Sequence, residues 1–356
     1  MWSDRRVVDL IGIEHPILLS PMANAGTVEL GIAVAEAGGL GSLPCGALSP
    51  TQMRKSLQII RQRTSKPINV NFFCHPSPVY DAARDARWRY RLAKYYEELG
   101  IQPDGKQPPA PPPPFDEDSC AVVEEFAPEV VSFHFGLPDR HVLVRVKTAG
   151  AVVIASATTV EEARWLEDHG CDAIIAQGYE AGGHRGMFRD SDVATQVGAF
   201  SLIPQVVDAV KVPVIAAGGI ADGRGIAAAL ILGASAVQIG TAYLLCPECG
   251  LKPVQIEAVR GSRDDSTALI NVFTGKPARG KATRLARELG LIDPEVPDYP
   301  LPAATLAPLR SKAEAEGLED FAYALFGQSA PMARAIPAGE LTKTLAADAL
   351  QRLNRK

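Results

Sequence analysis

Short runs of apolar and β-branched residues, each closed by Gly, Pro, Asn or Ser, alternate with Ala/Leu/Glu-rich stretches of helical period over two-thirds of the chain. Eight runs are predicted strands: PILLSPM (16–22), LGSLPCG (40–46), PINVNFF (67–73), EVVSFHFG (129–136), AVVIASAT (151–158), DAIIAQG (172–178), VPVIAAGG (212–219) and AVQIGTAY (236–243). Each is nearly continuous in apolar residues, as expected of parallel strands covered by helices on both faces. Eight successive βα units predict an α/β fold, a (β/α)8 TIM barrel. A doubly wound open sheet is the alternative, but its G-x-G-x-x-G turn directly after the first strand is absent.

Two stretches exceed a minimal barrel. Residues 75–115 form an insertion after the third strand, in which a helical stretch, RWRYRLAKYYEELG, leads into the Pro-rich segment 108–114, read as an extended surface connector. From residue 251 to 356 Pro/Gly-rich loops alternate with helical patterns such as SKAEAEGLEDFAYALFG and PAGELTKTLAADALQRL. The expected organisation is a barrel over 1–250 and a C-terminal helical extension over 251–356, packed on the barrel as a cap.

Composition narrows the function classes. The net charge of -5 is spread over 356 residues with no basic stripe, which argues against a nucleic-acid partner. No apolar run reaches the roughly 18 residues of a membrane span, and the opening MWSDRRVVDLIGIEHP does not read as a signal peptide. Six scattered cysteines suit reduced thiols, so a cytoplasmic location is expected. The pair Cys246 and Cys249 has no second ligand pair at zinc-site spacing, so no metal is expected.

In such a barrel the chemistry sits at the C-terminal ends of the strands. Those ends carry Met22, Ala23 and Asn24, then Asn71, His134, Gln177, Gly218 and Gly219, and finally Gln238, Gly240 and Thr241. Glycines after the seventh and eighth strands let backbone N–H groups approach an anion, and a helix N-terminus behind them adds partial positive charge, so a phosphate belongs there. The amides of Asn71 and Gln177 offer donors and acceptors to a flat heterocycle, or else hold barrel backbone. The loop GYEAGGHRG (178–186) surrounds His184 with glycines, Gly182 and Gly183 among them, and an imidazole suits proton abstraction near neutral pH. His134 shares a strand face with Ser132 and is a candidate substrate contact; His15, His75, His141 and His169 are given no role.

The segments PMANAGTVELGIAVAEAGGLGSL, NVNFFCH, VSFHFGLP, AQGYEAGGHRG, AAGGIADGRGIAAAL and QIGTAYL together resemble the nitronate monooxygenase (2-nitropropane dioxygenase) family. The likeness continues through TGKPARG (274–280) and FGQSAPMARAIPAGELTKTL. It implies bound FMN, no metal, and oxidation of alkyl nitronates such as propionate 3-nitronate by O2 to carbonyl compounds and nitrite. It also implies that His184 is the base toward neutral nitroalkanes, and that Asn71, Gln177, Gly182, Gly219 and Gln238 to Thr241, Ile239 included, contact FMN. A related flavin barrel, the NAD(P)H-dependent enoyl-acyl-carrier-protein reductase, carries a similar EAGGH loop, and other relatives reduce quinones. A flavin-free phosphate-binding barrel is the rival from another class.

Overall fold

The structure, a computed structural model, describes residues 2–102, 110–189 and 192–354; Pro108 and Pro109 of the Pro-rich segment lie outside the described residues. Eight parallel strands form the barrel: β1 (Ile17–Leu19), β2 (Gly41–Pro44), β3 (Ile68–Phe73), β4 (Val130–His134), β5 (Val152–Ala157), β6 (Ala173–Gln177), β8 (Val214–Ala217) and β9 (Ala236–Ile239). A two-residue strand, β7 (Gly183–His184), lies outside this sheet in the loop after β6. The neighbours run β1-β9-β8-β6-β5-β4-β3-β2, and a bridge between Leu18 and Leu40 brings the two ends of the sheet together. Every expected strand run therefore contains a barrel strand.

Alternation along the strands sorts the two faces. Ile174, Ala176, Val131, Phe133, Val237 and Ile239 point outward into the layer beneath the helices. Val130, Ile154, Ala173, Ile175 and Ile215 point inward, where Val7, Val8 and Ile11 of helix α1 (Arg6–Ile11) plug the floor. The inward rows turn polar toward the C-terminal ends, at Asn71, Ser132, His134, Ser156, Gln177 and Gln238, and this gradient places the site at the top.

Outer helices α2 (Val28–Glu36), α3 (Pro50–Arg63), α5 (Glu117–Phe126), α6 (Arg140–Thr148), α7 (Val160–Asp168), α8 (Ala199–Ala209) and α9 (Gly223–Ile231) follow the strands, with α4 (Ala82–Glu98) in the insertion after β3. Their starts are fixed by side-chain caps: Ser49 and Gln52 form a capping box at α3, and Thr159 and Asp116 accept from the third backbone N–H at α7 and α5.

The extension holds α10 (Pro253–Arg260), β10 (Thr267–Ile270), β11 (Ala278–Lys281), α11 (Arg284–Leu289), α12 (Pro302–Glu316) and α13 (Ala338–Leu353). It is helical as expected, but it also carries the β10–β11 hairpin, whose β11 pairs antiparallel with β7, matching Ala278 to His184. Strands β7 and β11 are polar, with no apolar run to mark them in the sequence. Two contacts cut across the boundary expected at residue 250. Trp88, Leu92, Tyr95 and Tyr96 of α4 share a core with Phe273, Leu285, Leu306 and Leu309 of the extension. Helix α13 packs on α2 and α9, and its Leu341, Leu345 and Ala349 join the barrel's outer core.

Candidate active site

A cavity of about 320 Å³ opens at the C-terminal end of the barrel, large enough for a cofactor's ring system. Its wall contains Met22, Ala23, Asn24, Asn71, Gln177, Gly182, Gly183, Gly218, Gly219, Gln238, Gly240 and Thr241, together with His134 and His184. Ile239 is the exception among the expected contacts: strand alternation turns its side chain outward, where it is 1% exposed in the outer core.

The side expected to meet a phosphate is built from backbone. The N–H groups of Gly218, Gly219, Gly240 and Thr241, at the ends of adjacent strands β8 and β9, donate to no group among the described residues. Gly218 and Gly219 have φ of 104° and 73°, a left-handed turn that aligns successive N–H groups toward one point. The expected contribution of the following helix is corrected: Asp222 caps α9 by accepting from Arg224 and Gly225, and Asp348 accepts from Gly223. The free donors on this side of the cavity are therefore those of the two glycine turns themselves. Thr241 Oγ1 accepts from the Gly327 N–H (2.9 Å), tying the cradle to the extension.

The loop that carries His184 is held from several directions. Gln177 donates from Nε2 to the His184 carbonyl (2.9 Å) and accepts at Oε1 from the Gly186 N–H (2.8 Å). Its amide thus grips protein backbone, the second of the two uses the sequence allowed. His134 donates from Nε2 to the same His184 carbonyl (3.1 Å), which leaves Nδ1 to accept from Ser156 Oγ (3.0 Å). Arg185, 1% exposed, spans the carbonyls of Gln177 and Gly178 and the Gln196 side chain. Asn71 donates to Ser132, leaving its oxygen toward the cavity, and Gln238 Oε1 is buried with no donor among the described residues.

His184 Nε2 lies 2.9 Å from Thr274 Oγ1 of the hairpin. Burial, then His134 and Lys276 nearby, push the His184 pKa down to about 3; burial likewise pushes His134 down to about 4. Both imidazoles are neutral at pH 7. Around them stand rings the sequence did not single out: Tyr299 meets His184 edge-on at 5.3 Å, Phe135 at 5.9 Å and Phe73 at 6.4 Å. Phe135, buried behind His184 and Tyr299, has φ of 70°, an uncommon strain for a bulky residue. His75, given no role from sequence, packs on Tyr299 at 4.8 Å. Cys246 is buried with its thiol pushed up to about 12, and Cys249 Sγ donates to the Ala25 carbonyl, so both serve packing here.

Residues 4–348 match the family model described as nitronate monooxygenase. The chain belongs to the nitronate monooxygenase family. It is 41% identical over 345 residues to the nitronate monooxygenase of Pseudomonas aeruginosa, covering 96% of this chain and 97% of that one. To the Paraburkholderia phytofirmans enzyme it is 40% identical, covering 96% and 94%. Among solved structures, the nitroalkane oxidase of Streptomyces ansochromogenes superposes with a TM-score of 0.88 at 38% identity, covering 97% and 98%. FabK of Thermotoga maritima gives 0.75 at 33% identity, covering 98% and 96%. Nitronate monooxygenases are flavin-dependent oxidoreductases that act on a small-molecule substrate and O2, and this cavity fits a flavin: it has unpaired N–H groups for a phosphate and an orphaned amide acceptor on Gln238. Among the described residues no helix is long and apolar enough to cross a membrane.

Proposed function

We propose that the chain binds FMN and oxidises alkyl nitronates with O2 to carbonyl compounds and nitrite, with His184 as the base when the substrate arrives as a neutral nitroalkane. The observation that carries this reading is a neutral imidazole, locked by its own backbone carbonyl, in the same cavity as four unpaired N–H groups that suit one phosphomonoester. A single cradle, with the α9 terminus already capped by carboxylates, supports the mononucleotide FMN. Gly182, Gly183, Asn24, Ala23, Met22, Asn71 and Gln238 complete the cofactor's walls, while His134 and Gln177 position the loop.

When bound, the flavin supplies the electron transfer with substrate and O2 that no side chain can perform. The protein's part is placement and proton handling. Thr274 Oγ1 lies 3.4 Å from the Lys276 carbonyl; donating there, it accepts from His184 Nε2–H and leaves the Nδ1 lone pair to take the substrate's α-proton. A nitronate has already lost that proton and does not need the base. Tyr299 and Phe73, backed by Phe135, exclude water around the reacting carbon. The barrel with α13 binds cofactor, and the rest of the extension with α4 covers the mouth. Six free cysteines support a reducing compartment such as the cytoplasm.

The test is nitrite formation and O2 uptake with propyl-1-nitronate and no pyridine nucleotide, on protein whose released cofactor is identified as FMN. The likeness to FabK keeps one second reading, NAD(P)H-dependent enoyl-thioester reduction. Turnover with pyridine nucleotide alone, and no nitrite, would establish that reading instead.

A further inference from the structure

A second cavity, of about 460 Å³, opens on the flank of the barrel between the loop that joins β2 to α3 and the described end of the Pro-rich segment. Phe72 and Phe115 line it, their rings meeting at 4.5 Å on the outer face of β3. Polar groups of its wall are already engaged: Ser49 and Gln52 cap α3, and Asp116 accepts from the Ser119 N–H at the start of α5. The remaining wall is mostly apolar, from Cys45, Leu48, the two Phe rings and the prolines 111–114. Such a chamber offers little to an ion and suits a small apolar guest.

The two cavities have Ala47 and Phe73 in common. Beyond the bond from the Cys45 N–H to the Asn71 carbonyl (2.9 Å), β2 and β3 part, and the Phe73 ring lies against Gly46 in the gap. A Cβ at residue 46 would stand 2.6 Å from that ring, so glycine is what lets it lie there. One aromatic ring thus separates the flank chamber from the active site.

Nitronate and O2 must meet in one cavity of about 320 Å³, over which Tyr299, Pro300 and Arg310 stand from the extension. An organic substrate bound beneath them obstructs that path. O2 is uncharged and apolar, so it enters an apolar chamber without the desolvation cost that an organic anion would meet there. We propose that the second cavity is the entry for O2, which crosses to the active site past Phe73 at Gly46 while the organic substrate uses the mouth beneath the extension. The proposal rests on the reading above, in which O2 is the oxidant, and gives that reactant its own route.

The experiment fills the chamber from opposite walls with Leu48→Trp and Ser119→Trp, neither of which lines the active-site cavity. In both variants kcat/KM for O2, measured at saturating propyl-1-nitronate, is expected to fall at least about fivefold, while kcat/KM for the nitronate stays within about twofold of the parent. Crystals of the parent under xenon pressure are expected to hold xenon in the second cavity, beside Phe72 and Phe115, and crystals of Leu48→Trp to lack it. A variant with the parent's melting temperature and the parent's kcat/KM for O2 overturns the proposal. So do equal losses in both constants, which would assign the effect to the active site, and so does an absence of xenon from the parent's second cavity. If the parent forms no nitrite, it is the nitronate reading that falls, and the rate at which O2 reoxidises the photoreduced flavin in parent and Leu48→Trp still decides the route.

Discussion

Replacing Gln177 with Ala probes how the His184 loop is held. The substitution removes two hydrogen bonds at 2.9 and 2.8 Å, but their losses differ. The His184 carbonyl keeps His134 as a donor, so that half costs about 0.5–1.5 kcal/mol. The Gly186 N–H is buried and has no other acceptor, so leaving it unpaired costs a further ~1–3 kcal/mol. The sum, about 1.5–4.5 kcal/mol, is bounded because Arg185 and the β7–β11 pairing still tether the loop. Urea unfolding followed by circular dichroism should show that loss, and kcat/KM on a neutral nitroalkane should drop about tenfold or more while a nitronate is affected less. Gln177→Glu keeps the acceptor for Gly186 and places an oxygen against the His184 carbonyl, so it should separate the two halves. If Gln177→Ala unfolds at the parent's urea concentration and keeps the parent's substrate ratio, the loop is not held in the way argued here.

Because the His184 pKa lies near 3, the base is already deprotonated across neutral pH, and kcat/KM for a neutral nitroalkane should show no decline from His184 between pH 8 and 5; an acid limb centred near 6.5 contradicts this. The same shifts give a stability sign: both folded pKa values sit below the unfolded value of about 6.5, so stability present above that pH is lost as pH falls toward 4 and 3, measurable as a falling melting temperature. His184→Asn should keep its flavin and its nitronate activity while losing most activity on nitroalkane; equal losses on both substrates would remove the base role. Gly182→Ala would set a methyl group 2.4 Å from the Gly327 nitrogen and 2.6 Å from the Phe326 carbonyl carbon, both backbone, whereas Gly183→Ala meets open space at a cost of about 1–2 kcal/mol for its φ of 80°. Flavin content per chain should therefore fall far more in the first variant, and the reverse order refutes the loop–extension contact.

The barrel was readable because parallel strands buried on both faces leave unbroken apolar runs, and because strand-end glycines and polar residues mark the mouth. What escaped has physical causes. Ile239 sits between Gln238 and Gly240 in sequence, yet a period of two sends it to the other face. Gln177 could serve ligand or backbone, and only the position of the Gly186 N–H decides. Strands β7 (Gly-His) and β11 (Ala-Arg-Gly-Lys) carry no apolar run to mark them, and β10 lies outside the βα alternation. Tyr299, Arg310 and Tyr323 reach the cavity from a region with no strand-end rule to locate them, and His75 is brought in by its contacts with Tyr299 and Phe135.

The placement of α13 bears on how the protein comes to be folded. Its partners α2 and α9 are far upstream, and residues 232–337, which include the last barrel strand β9 and most of the extension, separate α9 from it. Ring closure is thus a long-range event with a large chain-entropy cost. A nascent chain that has made all eight barrel strands still lacks the staple between α2 and α9, and the apolar faces that Leu341, Leu345 and Ala349 cover stay open until synthesis passes residue 353.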